Sequence, residues 1–248
     1  WRVALTSVHR WNGSAWSPPA GVGPHANLFS VWGSSPNDVW IVGTGGQMYH
    51  WNGSTLALVT TNATTDLCYE INSVWGANAN DVWAAGNSSI LHWNGSNWSW
   101  TSSPVNTAIV ESIWGGGASN VWAVGRNGSD GKIFRWDGVS WSSIASPTTA
   151  ALNGVWVDGS TNAWIVGSFG TAWRWNGSAW FAPPTGTTQE LRAVWGNASN
   201  SVWAVGNNGT VLYWNGNSWA TETTPATIPL WSVWGSSAND VWAVGDGS

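Results

Sequence analysis

Apolar and polar residues alternate along short stretches of this chain, and Asn, Gly, Ser and Asp break the stretches at regular intervals. A period of two marks a β-strand, because successive strand side chains point to opposite faces of a sheet. The breaks carry turn chemistry. Four such stretches recur as a group, which predicts a repeated four-stranded antiparallel meander with strands A to D. In the fifth copy, strand A is expected from Leu191 to Gly196, B from Ser201 to Gly206, C from Thr210 to Trp214 and D from Ser218 to Thr223.

Tryptophan fixes the alignment of the copies. A strand-A landmark, apolar-Trp and nearly always followed by Gly, falls at Trp32, Trp75, Trp114, Trp156, Trp195 and Trp234. The strand-B landmark, V-W-x-x-G in most copies, follows at Trp40, Trp83, Trp122, Trp164, Trp203 and Trp242. Strand C ends in W-N-G or W-D-G at Trp11, Trp51, Trp93, Trp136, Trp175 and Trp214, and strand D carries Trp16, Trp98, Trp141, Trp180 and Trp219, with Leu56 in the remaining copy. A period of about 40 residues with four strands per unit is the pattern of propeller blades.

Asn-Gly and Asp-Gly between C and D supply the positive φ of a tight hairpin. The chain opens on a C and a D strand and closes on an A and a B strand. Pairing these two half-blades removes two exposed sheet edges. The expected fold is therefore all-β: one domain over residues 1–248, a six-bladed β-propeller whose ring closes when the N-terminal C/D strands pair with the C-terminal A/B strands. Trp1 to Leu5 would then be an extra loop at the splice.

Composition narrows the class. Only 8% of residues are charged, 14% are aromatic, and the net charge is -5 with seven Lys and Arg. No basic stripe is present to neutralise phosphates, which argues against nucleic acid, and no long apolar run argues for membrane insertion. The lone Cys68 rules out an internal disulfide and reads as a small buried apolar group. A Ser, Thr, Asn and Gly surface suggests an extracellular or cell-surface protein. The W-N-G-S tips, with Asn62, Asn87, Asn97, Asn197 and Asn208, also match N-glycosylation sequons.

The 27 Trp are mainly scaffold, since blades pack face to face and a flat side chain on each strand fills the wedge between them. Trp1, Trp100, Trp173 and Trp231 stand outside the pattern and are the better ligand-contact candidates.

The unit L-x-S-V-W-G, D-V-W-A-V-G, G-x-L-x-W-N-G-x-x-W, as in Val202-Trp203-Ala204-Val205-Gly206 and Trp214-Asn215-Gly216 before Trp219, resembles the tectonin repeat of six-bladed lectin propellers. The resemblance covers the whole chain. It implies glycan binding. A similar skeleton occurs in Asp-box propellers, including sialidases and photosystem assembly factors, which implies fold only. The stretch from Asp137 to Trp141 is one residue short of an Asp box.

Positions that vary while their neighbours stay fixed are the ones packing does not dictate. Three residues before the strand-A Trp stand Phe29, Asn72, Glu111, Asn153, Arg192 and Trp231, between an apolar residue and a small one. With A innermost, these six would ring the mouth of the central channel. Two aromatics for a sugar's C–H face and four polar side chains for its hydroxyls suit a carbohydrate; a water-filled channel mouth is the alternative.

A second variable set precedes the strand-C Trp: Arg10, His50, His92, Arg135, Arg174 and Tyr213. It could hold an anionic sugar, or it could pack its stems on Trp and bond to loop groups such as Asp38, Asp81 and Asp240. The segment from Arg126 to Lys132, with Asp130, reads as a longer B-to-C loop overhanging one face.

Nucleophile motifs, phosphate loops and metal-ligand spacings are absent, and His9, His25, His50 and His92 are scattered. Glu70 and Glu190 precede other A strands and leave a carboxylate pair with Glu111 open. The expectation is a non-enzymatic, cofactor-free binding module, lectin-like, with a protein-interaction propeller as the alternative.

Overall fold

Each Trp-Asn-Gly turn is closed by its own asparagine. The Asn176 side-chain oxygen accepts the backbone N–H groups of Ser178 at 3.0 Å and Ala179 at 2.9 Å, while its own N–H donates to the Ala179 carbonyl at 3.2 Å. The same bonds recur at Asn12, Asn52, Asn94, Asp137 and Asn215. Only the glycine takes a positive φ, 99° at Gly177 and 97° at Gly216. The Asn is therefore needed for its carbonyl oxygen and the Gly for its backbone, as in an Asx turn.

Asp137 does the asparagine's work with a carboxylate, and the N–H groups of Ser140 and then Val139 hold it below the usual carboxylate range. A depressed pKa contributes stability above the unfolded value, and that contribution is lost as pH falls through the folded one. Asp137→Asn is expected to leave the urea midpoint at pH 7 unchanged and to reduce the loss of stability below about pH 4. Paired urea melts at neutral and acid pH check this.

In the computed structural model, which describes residues 1–4, 6–21, 23, 27–59, 70–159 and 162–246, the hairpins assemble into seven sheets. Cys68, His25 and Asn62 lie outside the described residues. Sheet 1 is three-stranded, with β1 (Arg2–Ala4), β2 (Ser7–Trp11) and β3 (Trp16–Ser17).

Five four-stranded meanders follow. Sheet 2 holds β4 (Leu28–Ser35), β5 (Asp38–Gly43), β6 (Met48–Trp51) and β7 (Leu56–Val59), and sheet 3 holds β8 (Ile71–Asn78), β9 (Asp81–Gly86), β10 (Ser89–Trp93) and β11 (Trp98–Trp100). Sheet 4 holds β12 (Ile109–Gly117), β13 (Asn120–Asn127), β14 (Asp130–Trp136) and β15 (Trp141–Ile144). Sheet 5 holds β16 (Leu152–Val157), β17 (Ala163–Gly167), β18 (Ala172–Trp175) and β19 (Trp180–Phe181). Sheet 6 holds β20 (Leu191–Ala198), β21 (Ser201–Gly206), β22 (Val211–Trp214) and β23 (Trp219–Thr221), and sheet 7 is a pair, β24 (Leu230–Ser237) and β25 (Asp240–Gly245).

The all-β meander agrees with the sequence reading, and strands A to D of the fifth copy fall within two residues of expectation. The splice differs. Among the described residues β25 pairs with β24 alone, and the edge of β2 reserved for it is occupied by β1, with Arg2 opposite His9 and Val3 opposite Val8.

β1 is a strand B rather than a loop. Its register on β2 matches that of β9 on β10, where Ala84 faces Leu91 and Ala85 faces Ile90. Trp1 lies 5.4 Å from Trp51, as the strand-B Trp40 lies 5.1 Å from Trp93. Trp1 thus belongs to the repeat. The chain spans seven sheet positions, with strand A lacking from the first and strands C and D from the seventh among the described residues. The expected loop from Arg126 to Lys132 is also absent: β13 and β14 continue as a longer hairpin in which Asn127 faces Asp130.

Tryptophans join the sheets. The strand-B Trp of one sheet packs against the strand-C and strand-D Trp of the next: Trp83 on Trp136 and Trp141 at 5.0 and 5.4 Å, Trp164 on Trp214 and Trp219 at 5.1 and 5.0 Å. Trp40, Trp83 and Trp164 are fully buried there. The strand-A Trp lies instead on the glycine that follows the next sheet's strand-A Trp, so a Cβ at Gly76, Gly115, Gly196 or Gly235 would meet the ring of Trp32, Trp75, Trp156 or Trp195. That contact explains the recurring Trp-Gly.

Candidate functional site

The variable position of strand A is a bulge. In each A–B pair the ladder skips one residue: Leu28 and Ser30 pair across Phe29, Ile71 and Ser73 across Asn72, and the same happens at Glu111, Asn153, Arg192 and Trp231. A bulged residue opposes no partner and its side chain is re-aimed. This is the physical reason the position varies while its neighbours do not.

The small residue after the bulge has its own task. Ser30, Ser73 and Ser112 accept through Oγ the backbone N–H of Val74, Ile113 and Val155 in the next sheet, at 3.2, 3.1 and 3.3 Å. The bulged asparagines bridge in the same direction: Asn72 donates to the Val110 carbonyl at 2.9 Å, and Asn153 to the Leu191 carbonyl at 2.9 Å and Glu190 at 3.0 Å.

A further variable position, not visible when strand A is read alone, lies fifteen residues on, just after the strand-B glycine. It holds Thr44, Asn87, Arg126, Ser168, Asn207 and Asp246. Arg126 Nε donates to Glu111 at 3.2 Å, Arg192 Nε donates to Asn207 at 2.8 Å, and Trp231 Nε1 donates to Asp246 at 2.7 Å. The constant spacing between two variable columns was the available signal.

Charge gathers at this end of the sheets. Burial raises the Glu111 pKa, the adjacent Arg126 opposes that rise, and the charges of Glu70 and Glu190 add to it. Glu190 also pairs with Arg192 at 3.3 Å. The guanidinium of Arg192 sits 3.9 Å from the centre of the Trp231 ring, a cation–π contact.

Three aromatics remain exposed on the same end: Phe29 at 45%, Trp231 at 49% and Phe169 at 79%. Phe169 lies in the β17–β18 turn beside Ser168, with φ 60°. The equivalent turn positions hold Gly45 and Asn208, residues that tolerate the left-handed region. A Phe there carries backbone strain with no burial to offset it. Phe169→Gly is expected to raise stability by about 1 kcal/mol, read from a chemical denaturation curve.

The second variable set lies at the other end of strand B. His50 contacts Asp38 at 2.6 Å and stacks on Trp40 with ring centres 4.2 Å apart, and His92 does the same with Asp81 at 2.7 Å and Trp83 at 4.1 Å. Arg135 donates to Asn120 at 3.2 Å beside Trp122, Arg174 donates to Asn162 at 3.0 Å, and the Tyr213 hydroxyl meets Ser201 at 3.4 Å. Arg10 lies over Trp1 and Trp51. The cavity beside Arg135 and Asn162 measures about 90 Å3, well below the roughly 300–1,000 Å3 of small-molecule sites, whereas an open depression of about 610 Å3 lies beside Arg174, Phe181 and Trp214.

Of the other tryptophans outside the strand landmarks, Trp173 packs against the core between sheets 4 and 5, and Trp100 is exposed on β11. Among the described residues no group of three or more His, Cys, Asp or Glu is arranged to hold a metal.

Four-stranded meanders stacked through their faces, with a strand-A bulge in each at one end, define a β-propeller-like protein. The solved structures it is similar to are of that kind. The WD40 propeller domain of Doa1 matches with a TM-score of 0.76 over 98% of this chain and 84% of the other, at 14% identity. A structure of YCF48 bound to a D1 peptide matches with a TM-score of 0.67 at 18% identity, over 88% of this chain and 74% of that one. YCF48 from Cyanidioschyzon merolae matches at 0.55 and 15%, over 88% and 92%. No protein-family model and no curated protein sequence matches the chain. These likenesses establish the fold and identify no tectonin or lectin family.

Proposed function

We propose that the chain is a non-catalytic protein-interaction module, working at or outside the cell surface, that receives a peptide segment on the bulge-ring end of its sheets. One observation carries the reading. Phe29, Phe169 and Trp231 are exposed on that end, while the polar members of the ring are turned to their neighbours. A sugar needs free donors and acceptors beside its stacking ring; apolar peptide side chains need exposed aromatic surface. The YCF48 structure bound to a D1 peptide adds support by analogy of fold.

The glycan reading keeps one specific support, the flat face of Trp231 beside Arg192 and Glu190. Panning a displayed random-peptide library and probing a glycan array with the same protein separates the two. Enriched peptides whose binding is lost in Phe169→Ser and Trp231→Ala are expected. Glycan binding lost in Trp231→Ala, with no peptide enriched, would establish the lectin reading instead.

A further inference from the structure

On strand D, the residue after the landmark pairs across the ladder with the residue before the strand-C Trp. It is Ser or Ala in sheets 1, 2, 3, 4 and 6: Ser17 opposite Arg10, Ala57 opposite His50, Ser99 opposite His92, Ser142 opposite Arg135 and Ala220 opposite Tyr213. Sheet 5 departs. There Phe181 stands opposite Arg174 and is 52% exposed, so neither the repeat nor the core calls for it. β19 stops at Phe181, because Ala182 is followed by Pro183 and Pro184, which have no N–H to give to a ladder.

Arg174 departs as well. Arg126 and Arg192 are paired with Glu111 and Glu190, and Arg2, Arg10 and Arg135 lie over indole rings. Among the described residues Arg174 alone of the arginines has neither a carboxylate nor a ring face against its charge. Its Nη2 donates to Asn162 at 3.0 Å, and its Nε is buried without an acceptor. A charged donor left in that state is costly until something supplies the acceptor.

The two residues border one open depression of about 610 Å3, which Asn176, Ala182, Pro183 and the sheet 6 residue Trp214 complete. Trp164, Arg174 and Phe181 form a row across sheet 5, and Trp164 packs on Trp214, so the depression opens where that sheet-to-sheet contact ends. Its volume lies within the range of small-molecule sites. The side-chain polar groups that border it are donors: the guanidinium of Arg174 and the amide nitrogen of Asn176, whose carbonyl oxygen is taken up within its turn by Ser178 and Ala179. The remaining walls are apolar.

We propose that this depression binds a small organic monoanion, a carboxylate joined to a ring, with the carboxylate on Arg174 and the ring against Phe181 and Pro183. A guanidinium presents paired N–H groups that match the two oxygens of a carboxylate. A flat apolar ring covers the exposed Phe181, and a single uncompensated positive charge suits a single negative one. The depression lies at the Trp-Asn-Gly end of the sheets, away from the strand-A bulges, so it is independent of the peptide reading.

The probe is naphthylacetate, titrated into the full chain by calorimetry. Saturable one-to-one binding below about 1 mM is expected, and the uncharged naphthylacetamide should bind roughly tenfold more weakly. Arg174→Gln should weaken binding of the acid roughly tenfold. Phe181→Ser, which brings in the residue that sheets 1, 3 and 4 already carry and so leaves folding intact, should do the same. Arg135→Gln, at the equivalent place in sheet 4 opposite Ser142, should bind as the unmodified chain does. No saturable binding of the acid, equal affinity for acid and amide, unchanged binding in Phe181→Ser, or a loss in Arg135→Gln equal to that in Arg174→Gln would each overturn the proposal.

Discussion

Replacing Trp164 with Ala is expected to destabilise the protein by about 3–5 kcal/mol, the range for deleting a large buried aromatic. The same substitution at Trp242 should cost less than about 1 kcal/mol. Both are strand-B tryptophans in near-identical sequence, V-W-A-V-G at one and A-W-I-V-G at the other. Trp164 is 0% exposed and lies edge-on to Trp219 and tilted against Trp214. Trp242 is 67% exposed, with no hairpin beyond it among the described residues. Equilibrium urea unfolding of the two variants gives the comparison, and equal losses would show that the sheet-to-sheet contacts do not carry the stability assigned to them.

The second large effect is steric. A Cβ on Gly115 would lie 2.4 Å from the Trp75 ring, closer than any packed carbon, so Gly115→Val should cost about 1–3 kcal/mol or more. Val157 stands naturally at the equivalent place in sheet 5, where the facing Trp114 is only partly buried, which indicates how the clash is relieved. The double variant Trp75→Ala/Gly115→Val should therefore lose less than the sum of the two single changes. A double-mutant cycle measures that coupling, and additive losses would refute the ring-on-glycine contact.

Local structure was legible in the sequence. Period-two alternation, V-W-x-V-G and W-N-G placed the strands and hairpins of sheets 2 to 6, because each signal is written within a few residues. The splice was not, and the reason lies in Trp1. Its spacing to Trp11 equals that from Trp83 to Trp93, so it could have been aligned as a strand-B landmark, but W-R-V-A has Ala4 where that landmark has Gly. A strand at a chain end has fewer flanking signals, and only its ladder to β2 fixes its place.

The site was half legible. The variable strand-A column stood out, yet the bulge that frees it depends on pairing with strand B, and the facing column fifteen residues on becomes meaningful only when both strands lie side by side. Phe169 carried no sequence signal at all, because its left-handed turn is set by the backbone path between β17 and β18.

The bulge separates two demands that proteins usually have to reconcile. A residue outside the ladder can be exchanged without disturbing the rows of Val, Ile and Trp that hold neighbouring sheets, so changes of recognition there are relieved of the usual trade against stability. Six such positions, of which Arg192 and Trp231 are in direct contact, would let one scaffold diversify its target by substitution alone, with no change in loop length or strand register.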